Sequence, residues 1–331
     1  MSGHSLDIET IRSALLLAVR APSVHNSQPW LWRVGENTLH LYANLELHLP
    51  HTDPDARDLM LSCGATLHHC VVAMAALGWQ STIHRFPNPA EPTHVAAIEL
   101  HPHYPVDKAD IALAAAIPRR RTDRRRYSSW PVPQADIALM VARAARADVM
   151  LRRVDALDDL KRLIAEAAWR HRSDHDYLTE LAAWSGRYGS IAGVPARSTP
   201  GSDSGAGVPT RVFAGGVLAE TPDGKSPQDN AVVVALGTAS DDKSARLRAG
   251  EVASLLLLTA TALGLASCPI TEPLEVTETR TQLAREVFGA EFYPQIMLRI
   301  GWAPVNADPL PATPRRGLSD VVEWVDGSRF S

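Results

Sequence analysis

The 331-residue sequence has few cysteines, no long uninterrupted apolar run and no strong excess of charge of either sign. Its three cysteines form neither a Cys-x-x-Cys pair nor an even-numbered disulfide framework, so we expect a reduced, cytoplasmic protein. The longest nearly apolar stretch, residues 254–266, is shorter than the roughly 20 residues that a membrane-spanning helix needs. Residues 1–10 lack a basic region followed by an apolar run, which argues against a secretory signal.

The charge balance and the missing motifs argue against several classes of function. A formal net charge of −4 and a pI near 6.3 give no general attraction to nucleic acids or anionic membranes. The sequence contains no Gly-x-Gly-x-x-Gly after a strand, no Gly-x-Ser-x-Gly and no His-Glu-x-x-His. Cys63 and Cys70 lie seven residues apart in an apolar helix, so we interpret them as core residues and predict no metal site.

Apolar periodicity predicts a mixed α+β architecture. Helical spacing is present in residues 8–20, 55–77, 108–117, 133–147, 156–173 and 244–264. Runs suited to β-strands are residues 30–34, 38–44, 81–86, 94–102, 148–154, 231–238 and 295–302.

Two of the predicted helices share a pattern that indicates two related halves. Residues 64–78 and 250–264 each begin with glycine and end Ala-Leu-Gly, with 14 residues between the glycines. Each is preceded by an alanine-rich helix and followed by a strand-bearing segment, so we predict an internal duplication. We expect the first half to span residues 1–105 and the second to span residues 106–331. The second half carries an insert, residues 185–210, whose Gly, Ser and Pro content is typical of a disordered segment or a functional lid.

The loop "APSVHNSQPWLW", residues 21–32, carries more hydrogen-bonding side chains than a turn requires. Asn26 and Gln28 each offer a donor and an acceptor, which suits the edge of a polar ring system. The alternative is a network of Asx and ST turns that simply ends the preceding helix.

A second polar motif is the arginine run "IPRRRTDRRRY", residues 117–127. Arg120, Thr122 and Arg124 would present two guanidinium groups and one hydroxyl, which is a good match to a phosphate monoester. A solvated basic patch or a nucleic-acid contact is the alternative, and nucleic-acid binding would show a steep dependence of affinity on salt.

Taken together, these motifs resemble those of the FMN-dependent nitroreductase family. There, Arg-x-Ser/Thr-x-Arg precedes the first helix and grips the FMN phosphate and ribityl chain, and a Pro-Ser-x-x-Asn-x-Gln-Pro-Trp loop reaches the flavin across the dimer interface. Residues 249–270 are similar to the family's buried central helix and the loop that passes over the flavin ring. Residues 312–324 are similar to its C-terminal basic segment. The resemblance implies an α+β nitroreductase-like fold.

The sequence departs from an ordinary nitroreductase because each motif occurs once, the loop in the first half and the arginines in the second. This arrangement resembles the Acg-type subfamily of mycobacteria and related actinobacteria. The resemblance implies that the two fused halves mimic the family homodimer. They would form one FMN site that needs no second chain, and a lid would cover the flavin.

The resemblance carries over to individual positions. Those that match the cofactor-binding motifs are Pro22, Ser23, Asn26, Gln28, Arg120, Thr122, Arg124, Pro269, Ile270, Thr271, Arg315 and Arg316. Glu272 continues the segment beside the flavin ring, and the choice between Arg315 and Arg316 for the phosphate stays open. His25 lies at a position that the motif leaves free. The remaining arginines of the run are expected to face solvent or carboxylates: Arg119, Arg121, Arg125 and Arg126.

Two functions remain after this comparison. The first is an FMN-dependent oxidoreductase that takes electrons from NADH or NADPH and reduces nitro compounds or quinones, the flavin itself carrying the hydride. The second is an FMN storage or sequestering protein with a closed lid and little turnover, linked to stress or dormancy. The sequence assigns no catalytic residue in either case.

Overall fold

The computed structural model describes residues 6–102, 105–187, 190–200, 207–218, 229–304 and 307–330. Its helices are α1 (Ile8–Ala18), α2 (Arg57–Ala76), α3 (Lys108–Ala116), α4 (Gln134–Ala145), α5 (Leu157–Arg172), α6 (His175–Trp184), α7 (Lys243–Ala262), α8 (Glu272–Glu275), α9 (Thr277–Phe288) and α10 (Leu318–Val321). Its strands are β1 (Trp30–Val34), β2 (Thr38–Ala43), β3 (Trp79–Arg85), β4 (His94–Pro102), β5 (Met150–Arg153), β6 (Ser185–Arg187), β7 (Val194–Pro195), β8 (Val232–Thr238), β9 (Ala266–Ile270), β10 (Tyr293–Gly301) and β11 (Val322–Trp324).

The strands form two main sheets and one short ribbon. The first sheet has the order β11-β1-β2-β4-β3, and the second has the order β5-β8-β10-β9. In β1 and β2, side chains on one face are buried and those on the other are partly exposed, as expected for a sheet covered on one side. β8 is buried along its whole length, which explains its uninterrupted apolar sequence. β6 and β7, within the 185–210 insert, form the ribbon.

Helices α2 and α7 cross at the centre of the molecule, and two glycines permit the close approach. A Cβ added to Gly64 would lie 2.0 Å from the main-chain oxygen of Leu247, and one added to Gly250 would lie 2.2 Å from that of Leu61. Leu247 is three residues before Gly250, and Leu61 is three residues before Gly64. The contact is therefore reciprocal, as in an interface with two-fold symmetry.

The reciprocal pattern continues on both sides of the crossing. Four residues after the glycines, His68 and Ser254 form a hydrogen bond with each other, 2.9 Å long. Leu247 of α7 packs in the core of the first sheet, and Leu61 of α2 packs in the core of the second. Each helix thus supplies one leucine to the core of the other half.

The predicted α+β architecture is confirmed, and the structure adds elements that the apolar pattern did not predict. β9 contains residues that we expected in a loop, and Pro269 is tolerated there because β9 is an edge strand. β11 pairs in parallel with β1, which brings residues 322–324 from the predicted second half into the first sheet. The segment is too short and mixed to show a strand period in the sequence. The boundary near residue 105 stays a prediction.

One described helix, α2, is long and apolar enough to cross a membrane, but 78% of its apolar window is buried inside the fold. Cys63 and Cys70 lie on this helix and belong to the core of the first sheet. Burial, rather than lipid contact, accounts for the apolar composition of α2.

Replacing Gly64 with alanine should destabilise the protein by about 3 kcal/mol, since the new methyl group would collide with main-chain atoms of α7. The free energy of unfolding from urea titration measures this effect. The matched control is Gly78→Ala, where φ is +85° but nothing lies within 4 Å of an added Cβ. The control should cost about 1 kcal/mol from backbone strain alone. Equal losses in the two variants would contradict the proposed role of the glycine crossing.

Candidate functional site

A cleft between the two halves contains most of the residues singled out from the sequence. It encloses about 1260 Å³ of space, its open mouth included. The first half contributes residues 22–26 and the start of α2, and the second contributes the arginine run, α7 and β9. Ten of the twelve predicted positions line the cleft: Pro22, Ser23, Asn26, Arg120, Thr122, Arg124, Pro269, Ile270, Thr271 and Arg315.

The loop between α1 and β1 adopts an unusual backbone conformation. Residues His25, Asn26 and Gln28 have φ values of 45°, 55° and 57°, in the left-handed region that non-glycine residues rarely occupy. Hydrogen bonds hold this shape: the Ser23 hydroxyl accepts from the Gln28 main-chain N–H, and Ser62 of α2 accepts from the Val24 N–H. Strained backbone kept in place by its surroundings is common at binding sites.

The two amide side chains of the loop differ in their contacts. Asn26 lines the cleft and its Nδ2 donates to the main-chain oxygens of Gly193 and Pro314, but its buried Oδ1 has no partner. Gln28 lies outside the lining and is fully buried, and its amide bonds Ile191 and Arg316 main-chain atoms. The Gln28 side chain therefore links the loop to the insert and to the C-terminal segment, while Asn26 keeps a free acceptor. A role for either in cofactor binding stays a prediction.

The arginine run separates into residues that face the cleft and residues that do not. Arg120 is buried on the cleft wall, and its Nε and Nη1 have no hydrogen-bond partner. Arg124 also lines the cleft, where it donates to the Ser198 oxygen and lies over the ring of Phe213. Arg125 forms an ion pair with Asp123, 2.8 Å long. Arg119 is exposed, so these two lie as the sequence suggests.

Buried positive charge accumulates at the end of the cleft where Arg120 and Arg315 lie, which we call the cationic end. Burial, together with the charges of Arg121 and Arg20, lowers the pKa of Arg120 to about 10. Burial and the charges of Arg120, Arg20 and Arg121 likewise lower the pKa of Arg315 to about 9. Two further buried guanidinium nitrogens, Nε of Arg20 and Nε of Arg315, have no partner. A buried cluster of cations that repel one another and keep unused donors is suited to an anion.

The C-terminal basic segment places its two arginines differently. Arg315 lines the cleft, and its guanidinium also bonds the main-chain oxygens of Arg20 and Ala21. Arg316 is not among the lining residues, and its main-chain N–H donates to the Gln28 side chain. The structure therefore turns Arg315 toward the cleft, a choice that the sequence left open.

The insert forms a further wall. The main-chain N–H of Gly193 donates to the main-chain oxygen of Asn26, and Val194, Pro195 and Ser198 line the cleft. Just after the insert, Arg211 bridges Glu275 of α8 and the His25 ring. The Phe213 ring meets the His25 ring edge-on, with 5.5 Å between ring centroids. The insert and the residues that follow it thus contact both halves of the site.

The end of the cleft beside Arg211 carries carboxyl groups. Asp58 at the start of α2 and Glu272 at the start of α8 line the cleft. Glu272 approaches the His171 ring at 3.4 Å, and that contact and Arg211 lower its pKa despite its burial. Burial and the charge of Arg211 hold the pKa of His25 well below its usual value, so His25 is neutral. Among the described residues, no group of three or more metal-ligating side chains is present.

Comparison with known proteins assigns this chain to a family. The chain is 60% identical to a Mycobacterium tuberculosis protein provisionally named NAD(P)H nitroreductase Rv3131, over 98% of this chain and 94% of the relative. It is 36% identical to the M. tuberculosis protein provisionally named NAD(P)H nitroreductase acg, over 95% of both chains. The chain belongs to the nitroreductase family. The resemblance inferred from the loop and arginine motifs is confirmed.

Solved nitroreductase structures resemble this family member less closely. The FMN-dependent nitroreductase NfnB of Mycobacterium smegmatis, solved with NADPH, is 20% identical and has a TM-score of 0.40, covering 68% of this chain and all of its own. An FMN-bound nitroreductase of Bacteroides fragilis is 17% identical and has a TM-score of 0.40, covering 62% of this chain and 95% of its own. A search of protein-family models gave no match.

Several cleft residues of this nitroreductase-family chain were not recognised from sequence. Asp58 and Ser62 lie on the predicted α2 helix, but nothing in its apolar pattern shows which polar side chains face a cavity. Arg211 and Phe213 follow a Gly- and Ser-rich segment whose fold has no periodic signal. The available signal was the length of this irregular segment, since long loops inside compact domains are often functional.

The anion preference of the cationic end can be tested without a cofactor. Inorganic phosphate and pyrophosphate should raise the Tm of the ligand-free protein, because they supply the missing negative charge. Arg120→Met should raise the Tm in the absence of anions and reduce the anion-induced shift at least twofold, since it removes a buried, unpaired cation. The control is Arg119→Met, which removes an exposed arginine from the same run. Identical phosphate shifts in both variants, measured by calorimetry, would refute an anion site at Arg120.

Proposed function

We propose that this protein is an FMN-binding oxidoreductase that accepts electrons from NADH or NADPH and reduces a nitro compound or quinone. The observation that carries the proposal is the group of buried, partnerless guanidinium nitrogens of Arg120 and Arg315 at one end of the cleft between the halves. The family relationship supports it, and so do the FMN and NADPH that occur in the names of solved nitroreductases.

The residues present fit the phosphate of FMN. Arg120 and Arg124 each bring a guanidinium to the cleft wall, and Thr122 lies between them with its side chain half-buried. A phosphate monoester carries nearly two negative charges at neutral pH and offers several acceptor oxygens. Such a group would satisfy donors that otherwise have no partner, and its negative charge would offset the burial and the repulsion that lower the pKa values of Arg120 and Arg315.

The rest of the cleft suits a polar aromatic ring. Asn26 has a free acceptor, Oδ1, that can receive an N–H from a ring edge. Ile270, Leu257 and Ala253 provide apolar surface, and β9 presents Cys268 and Pro269 beside it. Bound FMN would supply the hydride chemistry, while these residues would orient the ring and exclude water around it.

The reciprocal contacts of α2 and α7 suggest how a single site arose. We propose that the two halves derive from duplication of one nitroreductase subunit, each half later losing one of the two motifs. Since both halves are in one chain, a monomer would suffice to form the site. Light scattering on flavin-loaded protein after gel filtration would measure its mass directly.

The main test is reduction of the bound cofactor. Purified protein should be yellow, and anaerobic NADH or NADPH should bleach the flavin band, with quinone or a nitro compound restoring it. Arg124→Met should lower the flavin content at least tenfold, because it removes one of the two guanidinium groups of the phosphate motif. Arg119→Met should retain it. A colourless protein that takes up no added FMN would refute the proposal.

A second candidate function is FMN storage with little turnover, and the contacts of Arg211 favour it. Arg211 and Phe213 tie the segment after the insert to His25 and Glu275 across the cleft, where a nicotinamide would need room. If the wild type retains FMN but is not bleached, Arg211→Met should speed flavin release and admit NADPH. Its control is Arg197→Met, an exposed arginine of the insert. Rapid bleaching of the wild-type protein would eliminate this candidate.

A further inference from the structure

A buried carboxyl group of the cleft has no place in the function described so far. Asp58 lies in the first turn of α2, is 2% exposed and lines the cleft. Its Oδ1 accepts from the Arg57 guanidinium at 2.8 Å, whereas its Oδ2 is buried and has no partner. An unpartnered carboxyl oxygen in an enclosed site is costly when ionised, but it can carry a proton.

Asp58 is one of two neighbouring buried carboxyl groups: Arg57 pairs with Asp58, and the His48 ring lies 3.8 Å from Oδ2 of Asp53. The oxygens of Asp53 accept from the main-chain N–H groups of Asp58 and Leu59, at 2.9 and 2.8 Å. Burial raises the pKa of Asp53 and of Asp58, and the Asp58 charge adds to the increase at Asp53. Two carboxylates beside Arg57 would leave a net buried negative charge. One proton shared by the pair makes the three groups neutral.

The charged groups around Asp58 come from every element packed against it. Arg57 lies on α2, next to Asp58, and Asp53 and Asp55 lie just before that helix. Arg211 comes from the segment after the insert, and Glu275 comes from α8. Arg211 and Glu275 form an ion pair with each other, so together they add little net charge. Near Asp53, the His48 ring lies 3.8 Å from Oδ2 and Arg246 adds positive charge, while Asp55 is half exposed and paired to Arg246.

Other titratable side chains on the described part of the cleft wall are less suited to releasing a proton. The pKa of His25 is held well below its usual value, chiefly by burial, so the ring is already neutral. The pKa of Glu272 is lowered by His171 and Arg211, so this carboxyl group is ionised. Burial raises the pKa of the Cys268 thiol, which therefore keeps its proton.

We propose that Asp58 donates a proton to the electron acceptor during its reduction, with Asp53 and Arg57 holding that proton in reserve. The proposal rests on the proposed oxidoreductase function. Reduction of a quinone to a hydroquinone requires two electrons and two protons. The reduced cofactor supplies the two electrons with one proton, as a hydride equivalent. The Oδ2–H bond of Asp58 breaks, its proton forms an O–H bond on the quinone, and the resulting carboxylate is reprotonated from solvent.

The proton itself can be detected without turnover. Infrared spectra of the cofactor-free wild-type protein at pH 7 should contain the C=O stretch of a protonated carboxyl group that shifts in D2O. Asp58→Asn should abolish the band, because Asp53 and Arg57 then form a neutral pair. The control is Asp55→Asn, which removes a carboxyl group just before α2 that does not line the cleft. A wild-type spectrum without the band would overturn the proposal.

The catalytic test compares acceptors that do and do not need a proton. Oxidation of the chemically reduced, FMN-loaded Asp58→Asn variant by a quinone should slow about 100-fold, in the range of general-acid contributions. Oxidation by ferricyanide, which takes electrons only, should change less than threefold. In the wild type, the quinone rate should fall as pH rises through the pKa of the pair, because the protonated form is the donor. The ferricyanide rate should stay level over the same range.

The remaining outcomes separate the two proposals. An Asp58→Asn variant that retains FMN and loses both acceptor rates equally, or neither, would overturn the role of Asp58 and leave the oxidoreductase function intact. Loss of FMN from this variant would make Asp58 a cofactor-binding residue and would also overturn the role. If the variant does not fold, a quinone rate in the wild type that shows no pH dependence and no solvent isotope effect would do so. A wild-type protein that contains no FMN and takes up none would overturn the proposed function itself.

Discussion

The close crossing of α2 and α7 is the constraint on which the rest of the structure depends. Gly64 and Gly250 bring the two backbones together at equivalent positions, and each helix then sends a leucine into the core of the other half. An ion pair between Arg85 and Glu251 adds a polar connection between the halves. Because the halves are fixed in this way, a loop from one and an arginine run from the other meet across a single cleft.

The cleft has two electrostatically different ends. At one end, Arg120 and Arg315 lie buried among other arginines and keep unused donors, an arrangement that an anion would stabilise. At the other end, Asp58 bonds the Arg57 guanidinium and lies beside a second buried carboxyl group, Asp53. A ligand with a charged tail and a neutral ring matches this polarity, since only its tail would meet the cationic end.

Much of this organisation follows from local sequence, and the exceptions have physical reasons. The matching glycine positions in and after α2 and α7 predicted two related helices, because each helix needs a glycine where the two backbones meet. The loop and the arginine run stood out because their side-chain chemistry exceeds what turns need. Arg211 and β11 could not be found in this way, since their roles depend on a partner more than 60 residues away or on pairing between the halves. Asp58 could not be found either, because the sequence does not show which polar side chains of α2 face the cleft. The direction of Arg315 also depends on such distant contacts.

The left-handed backbone of the loop has a consequence for how the protein responds to its ligand. His25, Asn26 and Gln28 keep these conformations while their side chains bond Arg211, Gly193 and Ile191, all in or beside the insert. Displacing the insert would remove those bonds and leave the loop held by its bonds to Ser23 and Ser62. Any movement of the insert that depends on the ligand would be linked to binding, and each would change the equilibrium of the other by the same free energy.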